Sequence, residues 1–536
     1  MTTSFATPAA SERLAAAKAA GLDREALIKA FRLMYTSRRI DDREIILKRQ
    51  QRIFFQISGA GHEAIQVAAG MATRPGYDWY FPYYRDRALA LTLGVTPHEM
   101  LLGSVGAASD PASGGRQMPS HWSDPALNIV SPSSATGTQY TPAVGCAEAV
   151  RRLYPGEDRL VVTSSGEGAT SEGEFWESIN QSCLYRVPVL FLIQDNGWAI
   201  SVPVENQTPG ASISKLLAGF PDLLVIEVNG TDLISSYSAM KAAAAWCRER
   251  RGPALVHAHC VRPYSHSLSD DERFYKTKDE RDEEAMRDPL TTFPRFLVED
   301  GIVSQDELER MMQEIETGII DDAERALKAD PPGPEAALLH LYSEKIDPAS
   351  THFDAIPRPE GEAKLMSDLI NATLREEMRR DERVVVFGED VADCSREGHL
   401  SEVKGKGGVF KLTAGLQTEF GSQRCFNSPI AEASIVGRAI GMAITGLKPI
   451  VEIQFFDYIW PAMMQIRDEL ATLRWRSNGR FKAPLVIRVP IGGYLAGGAI
   501  YHSQCGEVEF THLPGLRVVF PSNAEDACGL LRTAIR

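Results

Sequence analysis

Apolar and polar positions recur along this chain with two different periods. Between Asp23 and Thr36, Leu27, Ile28, Phe31, Met34 and Tyr35 fall at helical spacing and predict an amphipathic helix. Short apolar runs predict strands at Leu160–Thr163, Val187–Ile193, Ala254–His259 and Val384–Phe387, and strand–helix alternation continues with Pro449–Phe455 and Pro484–Val489. Continuous apolar runs of this kind suit parallel strands covered on both faces. Between the first two runs, Ser164–Gly168 breaks into small residues and a helix-like segment follows. Strand, turn, helix, strand is a βαβ unit, whose right-handed crossover puts both strand ends on one edge of a parallel sheet. Doubly wound sheets bind their ligands along that edge.

Further on, Ser304 with Glu307 forms a capping box that opens an acidic amphipathic helix running toward Lys328. Asp347–Gly361 is Pro-rich and reads as a linker, and a new helical period begins near Glu362. Strand and helix then alternate again, so a second parallel α/β domain follows the first. The expected division is 1–345, a linker at 346–361, and 362–536.

With 536 residues, 44% of them hydrophobic, the chain can bury more than one core. A net charge of −14 leaves no basic stripe for nucleic acid or an anionic membrane. Met1–Arg24 is Ala-rich but has no apolar core of signal-peptide length, and no run approaches a membrane span. The eight cysteines include no CxxC pair, so they indicate neither a zinc site nor a disulfide framework. The expectation is a soluble cytoplasmic protein with reduced thiols.

Candidate chemistry gathers on the loops. Glu167, between Gly166 and Gly168, follows the first run, and Asn196 follows the second. Two hard oxygen ligands on one sheet edge suit magnesium, although an ordinary βαβ turn with a solvated Glu explains the spacing equally well. Tyr84-Arg85 ends a strand-like stretch, and a guanidinium binds phosphate bidentately. Ser133, Ser134 and Thr136 form a serine-rich cluster that a helix N-terminus would also explain. His62, in a Gly-rich turn, reads as structural. His266 lies on a loop among serines and acids, where a lone His is usually solvated. Glu432 reads as a helix-start acid near the positive end of the dipole. His502 follows the Gly-rich loop Gly492–Gly498 and can exchange a proton near neutral pH.

Several of these strings carry a family resemblance. GEGATSEGEFWESIN, from Gly166, and DNGWAIS, from Asp195, resemble the thiamine-diphosphate fingerprint. The form with Glu in the middle and SEG after it is similar to the decarboxylating component of 2-oxo acid dehydrogenase complexes, the branched-chain type above all. The resemblance implies that Glu167, Asn196 and the backbone of Trp198 hold magnesium, within a cofactor turn made by Gly166, Glu167, Gly168 and Ala169. It assigns Tyr84 and Arg85 to the diphosphate, and Ser133, Ser134 and Thr136 to the cofactor's lining. The string QMPSH at Gln117–His121 matches branched-chain enzymes. HSLSDD, from His266, matches an active-site loop whose His contacts the cofactor phosphate and the incoming lipoyl group.

The second half resembles the β subunit of the same enzyme through FGEDV, GGVFKLTAGLQTEFG, NSPIAEASIVG, EIQFFDYIWPA and HSQ, in that order. Here the resemblance implies that Glu432 engages the cofactor's aminopyrimidine, its charged form disfavoured by Ile430, Ala431 and Ile435. His502 would serve decarboxylation and acyl transfer, and Phe456, with Phe455 and Tyr458, would supply aromatic surface under the pyrimidine.

The implied fold is α/β, with two thiamine-diphosphate-binding-type doubly wound parallel-sheet domains, phosphate-binding and then pyrimidine-binding. Subunits that are often separate are thus fused. The family's C-terminal transketolase-type domain is expected to be missing, since the chain stops at Arg536 inside a helix-like segment. The implied function is oxidative decarboxylation of a branched-chain 2-oxo acid with thiamine diphosphate and magnesium, and acyl transfer to a lipoyl-bearing acyltransferase partner. The family usually builds its site from two subunits, so a dimer of fused chains is expected. Pyruvate or acetoin as substrate, a transketolase-like ketol transferase, and an inactive assembly partner stand as alternatives.

Overall fold

In the computed structural model, residues 10–536 are described except 348, 352, 353, 355 and 357–359, so part of the expected linker lies outside the described residues. The chain divides into two compact units. One comprises Met1–Gln139, Tyr154–Ala337 and Arg476–Asn478, and the other comprises Tyr140–Leu153, Leu338–Trp475 and Gly479–Arg536. Among the described residues, no helix is long and apolar enough to cross a membrane.

The first unit is built on a parallel five-stranded sheet. Its strands are β1 (Trp79–Phe81), β2 (Val161–Gly166), β3 (Val189–Asp195), β6 (Leu224–Asn229) and β7 (Ala254–His259), in the order β1-β2-β3-β7-β6. A short antiparallel pair, β4 (Trp198–Ala199) and β5 (Val202–Pro203), lies beyond the end of β3. The central strands β2, β3 and β7 are buried almost throughout, which is why they read as unbroken apolar runs. β2 continues through Ser164 and Ser165 to Gly166, past the apolar run, because the ladder with β3 extends to Gly166 opposite Gln194. Backbone pairing sets that end, and hydrophobicity does not. The edge strand β6 is half-buried and carries Glu227 and Asn229, so no apolar run announces it.

The N-terminal helix runs Arg24–Arg49, with Asp23 as its cap, and outlasts the predicted Asp23–Thr36 segment. Past Tyr35 its buried face keeps Ile40 and Leu47 but is otherwise polar, with Ser37, Arg38, Asp41 and Glu44. Arg38 is paired with Glu63 at 2.7 Å and with Asp288 at 2.9 Å, and Arg87 is paired with Glu44 and Asp41. Hydrophobic periodicity cannot see a face made of ion pairs. Asp41 Oδ2 accepts from Ser58 Oγ at 2.7 Å and from Gly59 N at 2.9 Å, which ties this face to the Gly-rich turn before His62. The acidic helix runs Gln305–Ala326, with the capping box of Ser304 and Glu307 in place.

The second unit holds a parallel sheet of β8 (Val384–Gly388), β9 (Cys425–Asn427), β10 (Lys448–Glu452) and β11 (Val486–Arg488), in the order β11-β10-β8-β9. The helix expected near Glu362 begins at Met366. Helix Tyr140–Leu153, which lies before β2 in the chain, belongs to this unit and packs on helix Glu432–Thr445. Glycines make that contact close. A Cβ at Gly441 would lie 1.8 Å from Pro142 O, and one at Gly145 would lie 2.0 Å from Arg438 O. Arg438, fully buried, is held by both carboxylate oxygens of Glu148, at 2.5 and 3.0 Å. A bidentate buried pair of this kind fixes the register of the two helices.

Candidate active site

In the first unit, two loops leave neighbouring strand ends. Gly166 is level with Gln194, so Glu167 leaves β2 and Asn196 leaves β3 on the same edge. The loops touch, since a Cβ at Gly168 would meet Ala199 Cβ at 2.6 Å and only glycine lets the Glu167–Ser171 turn lie on β4. Buried Ala169 belongs to the same turn. Glu167 is buried, and its Oε1 accepts from Thr208 Oγ1. Burial pushes its carboxyl up to about 7, against the opposing hydrogen bond from Thr208.

Asn196 is oriented by its neighbours. Its Oδ1 accepts from Trp198 N at 3.2 Å, and its Nδ2 lies 3.0 Å from His62 Nε2. His62 Nδ1 lies 3.1 Å from Ala60 O, and a carbonyl only accepts, so Nδ1 carries the proton and Nε2 takes the Asn196 amide. Burial first, and then the Arg85 charge, lower His62 to about 3 and keep its ring neutral. His62, which reads as structural in sequence, thus sets the amide orientation. The donors in these loops are a buried carboxylate, an amide oxygen and adjacent backbone, with no sulfur. Such a set fits magnesium, and a desolvated carboxylate gains from a cation beside it.

Three predicted residues meet on the same edge. Arg85, nearly fully buried, donates from Nη1 to Ser58 O at 2.6 Å. Its Nη2 donates to His266 Nδ1 at 2.9 Å and to His266 O at 3.0 Å. A guanidinium only donates, so His266 accepts at Nδ1 and carries its proton on Nε2. Burial, with Arg85 and Arg262 nearby, lowers His266 to about 4. Tyr84 stands edge-on to the His266 ring, with centroids 6.3 Å apart, and Arg85 lies over the Tyr84 ring at 5.4 Å. Asp270 holds the loop by accepting from His266 N at 2.9 Å and from Tyr275 OH at 2.5 Å. The Tyr83–Asp86 turn is locked in turn, because Asp86 accepts from Ser164 Oγ, from Gln194 Nε2 at 2.7 Å and from Tyr83 N at 3.1 Å.

The serine cluster is less engaged. Ser133 Oγ pairs with Thr138 Oγ1 at 2.8 Å, while Ser134 and Thr136 are exposed. Gly137 brings this segment against the cofactor-type turn, since a Cβ there would lie 3.0 Å from Glu172 Cβ and 3.6 Å from Ala169 O.

In the second unit, Glu432 opens helix Glu432–Thr445 and is half-buried. Its expected apolar setting is corrected in part. Ile435 is buried, but Ile430 is 82% exposed and cannot desolvate the carboxyl. The neighbour that matters is Glu389, at the end of β8, which hydrogen-bonds Glu432. Burial, and then this bond and the Glu432 charge, raise Glu389 to about 7. The FGEDV string contains Glu389, but no spacing rule pairs it with a residue 43 positions later.

His502 Nδ1 lies 3.1 Å from Gly498 O and its Nε2 lies 2.9 Å from Tyr458 OH, so Nδ1 donates and Nε2 accepts from the phenol. Phe455 stands edge-on against the His502 ring, with centroids 4.4 Å apart. Phe456, expected under the cofactor ring, instead packs in the core between Trp460 and Phe510. Phe455 is extended while Phe456 opens the 3-10 turn Phe456–Tyr458, and the two rings meet different neighbours.

Known proteins match both halves. The dehydrogenase E1 component family matches residues 31–335, and the transketolase pyrimidine binding domain matches residues 362–536. The 2-oxoisovalerate dehydrogenase subunit alpha of Bacillus subtilis is 35% identical over 326 residues, which is 61% of this chain and 98% of that protein. Subunit beta from the same organism is 48% identical over 169 residues, covering 32% of this chain and 48% of its own length. The pyruvate dehydrogenase E1 component subunit beta of Acholeplasma laidlawii is 46% identical over 168 residues, 31% of this chain and 47% of that protein. The chain therefore spans nearly all of an alpha relative and about half the length of the beta relatives it matches.

Proposed function

This chain belongs to the dehydrogenase E1 component family, and on that premise we propose that it decarboxylates a branched-chain 2-oxo acid and passes the acyl group to a lipoyl group on an acyltransferase partner. The observation that carries the reading is the contact between the Glu167 turn and the Asn196–Trp198 loop, with His62 orienting the Asn196 amide. Thiamine diphosphate, when bound, supplies the electron sink that lets a 2-oxo acid lose carbon dioxide. Glu167, Asn196 and the Trp198 backbone would hold its magnesium ion.

Tyr84 and Arg85 face phosphate in this reading, Arg85 with a guanidinium already fixed by Ser58 and His266. His266 offers a neutral ring with a proton on Nε2, a hydrogen-bond donor that adds no charge. Glu432 is the acid for the aminopyrimidine nitrogen, and Glu389 shares a hydrogen bond with it, so one proton can be held between two carboxyls. His502 is the second acid–base group, its Nε2 supplied by Tyr458 OH. The branched-chain substrate is favoured over pyruvate by the QMPSH segment and by the relatives named for 2-oxoisovalerate. The active form is proposed to be an oligomer of this chain.

The test is decarboxylation of 2-oxoisovalerate and of pyruvate with an artificial electron acceptor, with and without thiamine diphosphate and magnesium, beside Glu432→Gln. Turnover that needs both additions, favours 2-oxoisovalerate and collapses in the variant supports the proposal. Turnover of neither acid, with the cofactor bound, would overturn it.

A further inference from the structure

A second group of ligand-type side chains lies one residue from Asn196, and neither the proposed magnesium set nor the phosphate side uses it. Asp195 ends β3, while His257 and His259 stand two apart on β7 and so share one face of that strand. Their ligand-type atoms lie within 4.8 Å of one another. His257 Nε2 is 3.1 Å from Asp195 Oδ2, and His259 Nδ1 is 3.7 Å from the same oxygen. The rings lie side by side, with centroids 4.4 Å apart. Asp195 Oδ1 is separately engaged by Gly197 N at 2.8 Å, which turns Oδ2 toward the imidazoles.

The hydrogen bonds around this group fix how its ligand-type atoms are oriented. Glu227, opposite on β6, has both oxygens occupied. Oε2 accepts from Ser214 Oγ at 2.9 Å, and Oε1 lies 2.7 Å from His259 Nε2. A carboxylate only accepts, so His259 carries its proton on Nε2. Ser214 gives its hydroxyl proton to Glu227, so toward His257 Nδ1, 3.1 Å away, it is an acceptor and Nδ1 carries that proton. His257 Nε2 hydrogen-bonds the carboxylate oxygen of Asp195, and His259 Nδ1 faces the same oxygen. A cation bound here would displace the proton shared by His257 and Asp195, and the three ligand-type atoms would then converge on it.

We propose that Asp195, His257 and His259 bind a divalent transition-metal ion of the zinc class. Three nitrogen and oxygen donors of this kind suit zinc, with a fourth position for water. Zinc bonds near 2.1 Å place tetrahedral ligands about 3.4 Å apart, within the spread of the distances here. The outer contacts are also those of a metal site, since each imidazole donates its remote N–H, to Ser214 and to Glu227, and so presents its other nitrogen as ligand. Asp195 and His257 are nearly fully buried, whereas His259 and Glu227 are partly open and give an entry path. The ion would tie the residue before Asn196 to β7. The cysteines, which lack metal-type spacing, take no part.

The full chain, free of thiamine diphosphate and magnesium, would be dialysed against zinc chloride, washed and assayed for retained metal. One zinc per chain is expected. His259→Ala, at the open rim, and His257→Gln should each weaken zinc binding at least ten-fold, and Glu227→Gln should weaken it about ten- to a hundred-fold through the outer contact. Glu167→Gln, in the adjacent proposed magnesium set, should leave zinc retention unchanged. Circular dichroism of each variant separates lost binding from lost folding. Failure to retain stoichiometric zinc, or retention that folded His257→Gln and His259→Ala leave intact, would overturn the site. So would loss of zinc in Glu167→Gln alone.

Discussion

The Glu389–Glu432 pair gives a stability signature opposite to the usual acid unfolding of carboxylates. Glu389 titrates at about 7 in the folded chain, against an ordinary 4.5. Its folded pKa is the higher one, so between those values the folded state binds more protons than the unfolded state. Stability therefore falls as pH rises through that window. At about 1.4 kcal/mol per pH unit the undiscounted penalty is about 3 kcal/mol. Glu389 is only half-buried, so solvent screening reduces this to about 1–2 kcal/mol. Glu389→Gln keeps the shape and can still donate to Glu432, but it carries no charge at any pH. Calorimetric unfolding from pH 5 to 8 should find the two proteins alike at pH 5. At pH 8 the variant should be more stable by about 1–2 kcal/mol, which is a Tm higher by about 2–8 °C. Glu432→Gln removes the charge that helps raise Glu389, and should move the pH-sensitive window downward. Parallel curves for wild type and Glu389→Gln across the whole range would refute the coupled-pair reasoning.

Three further outcomes follow from the second unit. Gly441→Ala puts a methyl 1.8 Å from Pro142 O and should destabilise by about 1–3 kcal/mol, read as a lower denaturation midpoint, with weaker cofactor binding because this helix carries Glu432. Glu148→Ala strands the buried Arg438 charge and should cost about 3–5 kcal/mol, whereas Glu148→Met with Arg438→Met should recover most of that in chemical denaturation. Tyr458→Phe removes the donor to His502 Nε2. It should lower kcat about ten-fold with cofactor affinity held, less than the roughly 10²–10⁴-fold expected on losing an acid–base group outright.

What the sequence determined by itself was the order of parts. Apolar runs covered on both faces located β2, β3, β7 and β8, and the capping box located helix Gln305–Ala326, because burial and caps write themselves into adjacent residues. The motifs named loops whose ends the sheet register does bring together, Glu167 with Asn196, and Tyr84 and Arg85 with His266. Tertiary structure alone decided everything that depended on a partner far away in the chain. The N-terminal helix runs on to Arg49 because Arg38, Asp41 and Glu44 find buried counter-charges at Glu63, Asp288 and Arg87. His62 orients Asn196 from 134 positions away, and helix Tyr140–Leu153 joins the second unit through Glu148 and Arg438. Phe455, not Phe456, reaches His502 because only the fold says which face of that segment meets the core. Glu227, Asp195 and the paired histidines likewise meet only through strand order. Local sequence encodes whether a residue is buried or capped, and which charge or hydrogen bond it meets is settled only when the strands and helices have docked.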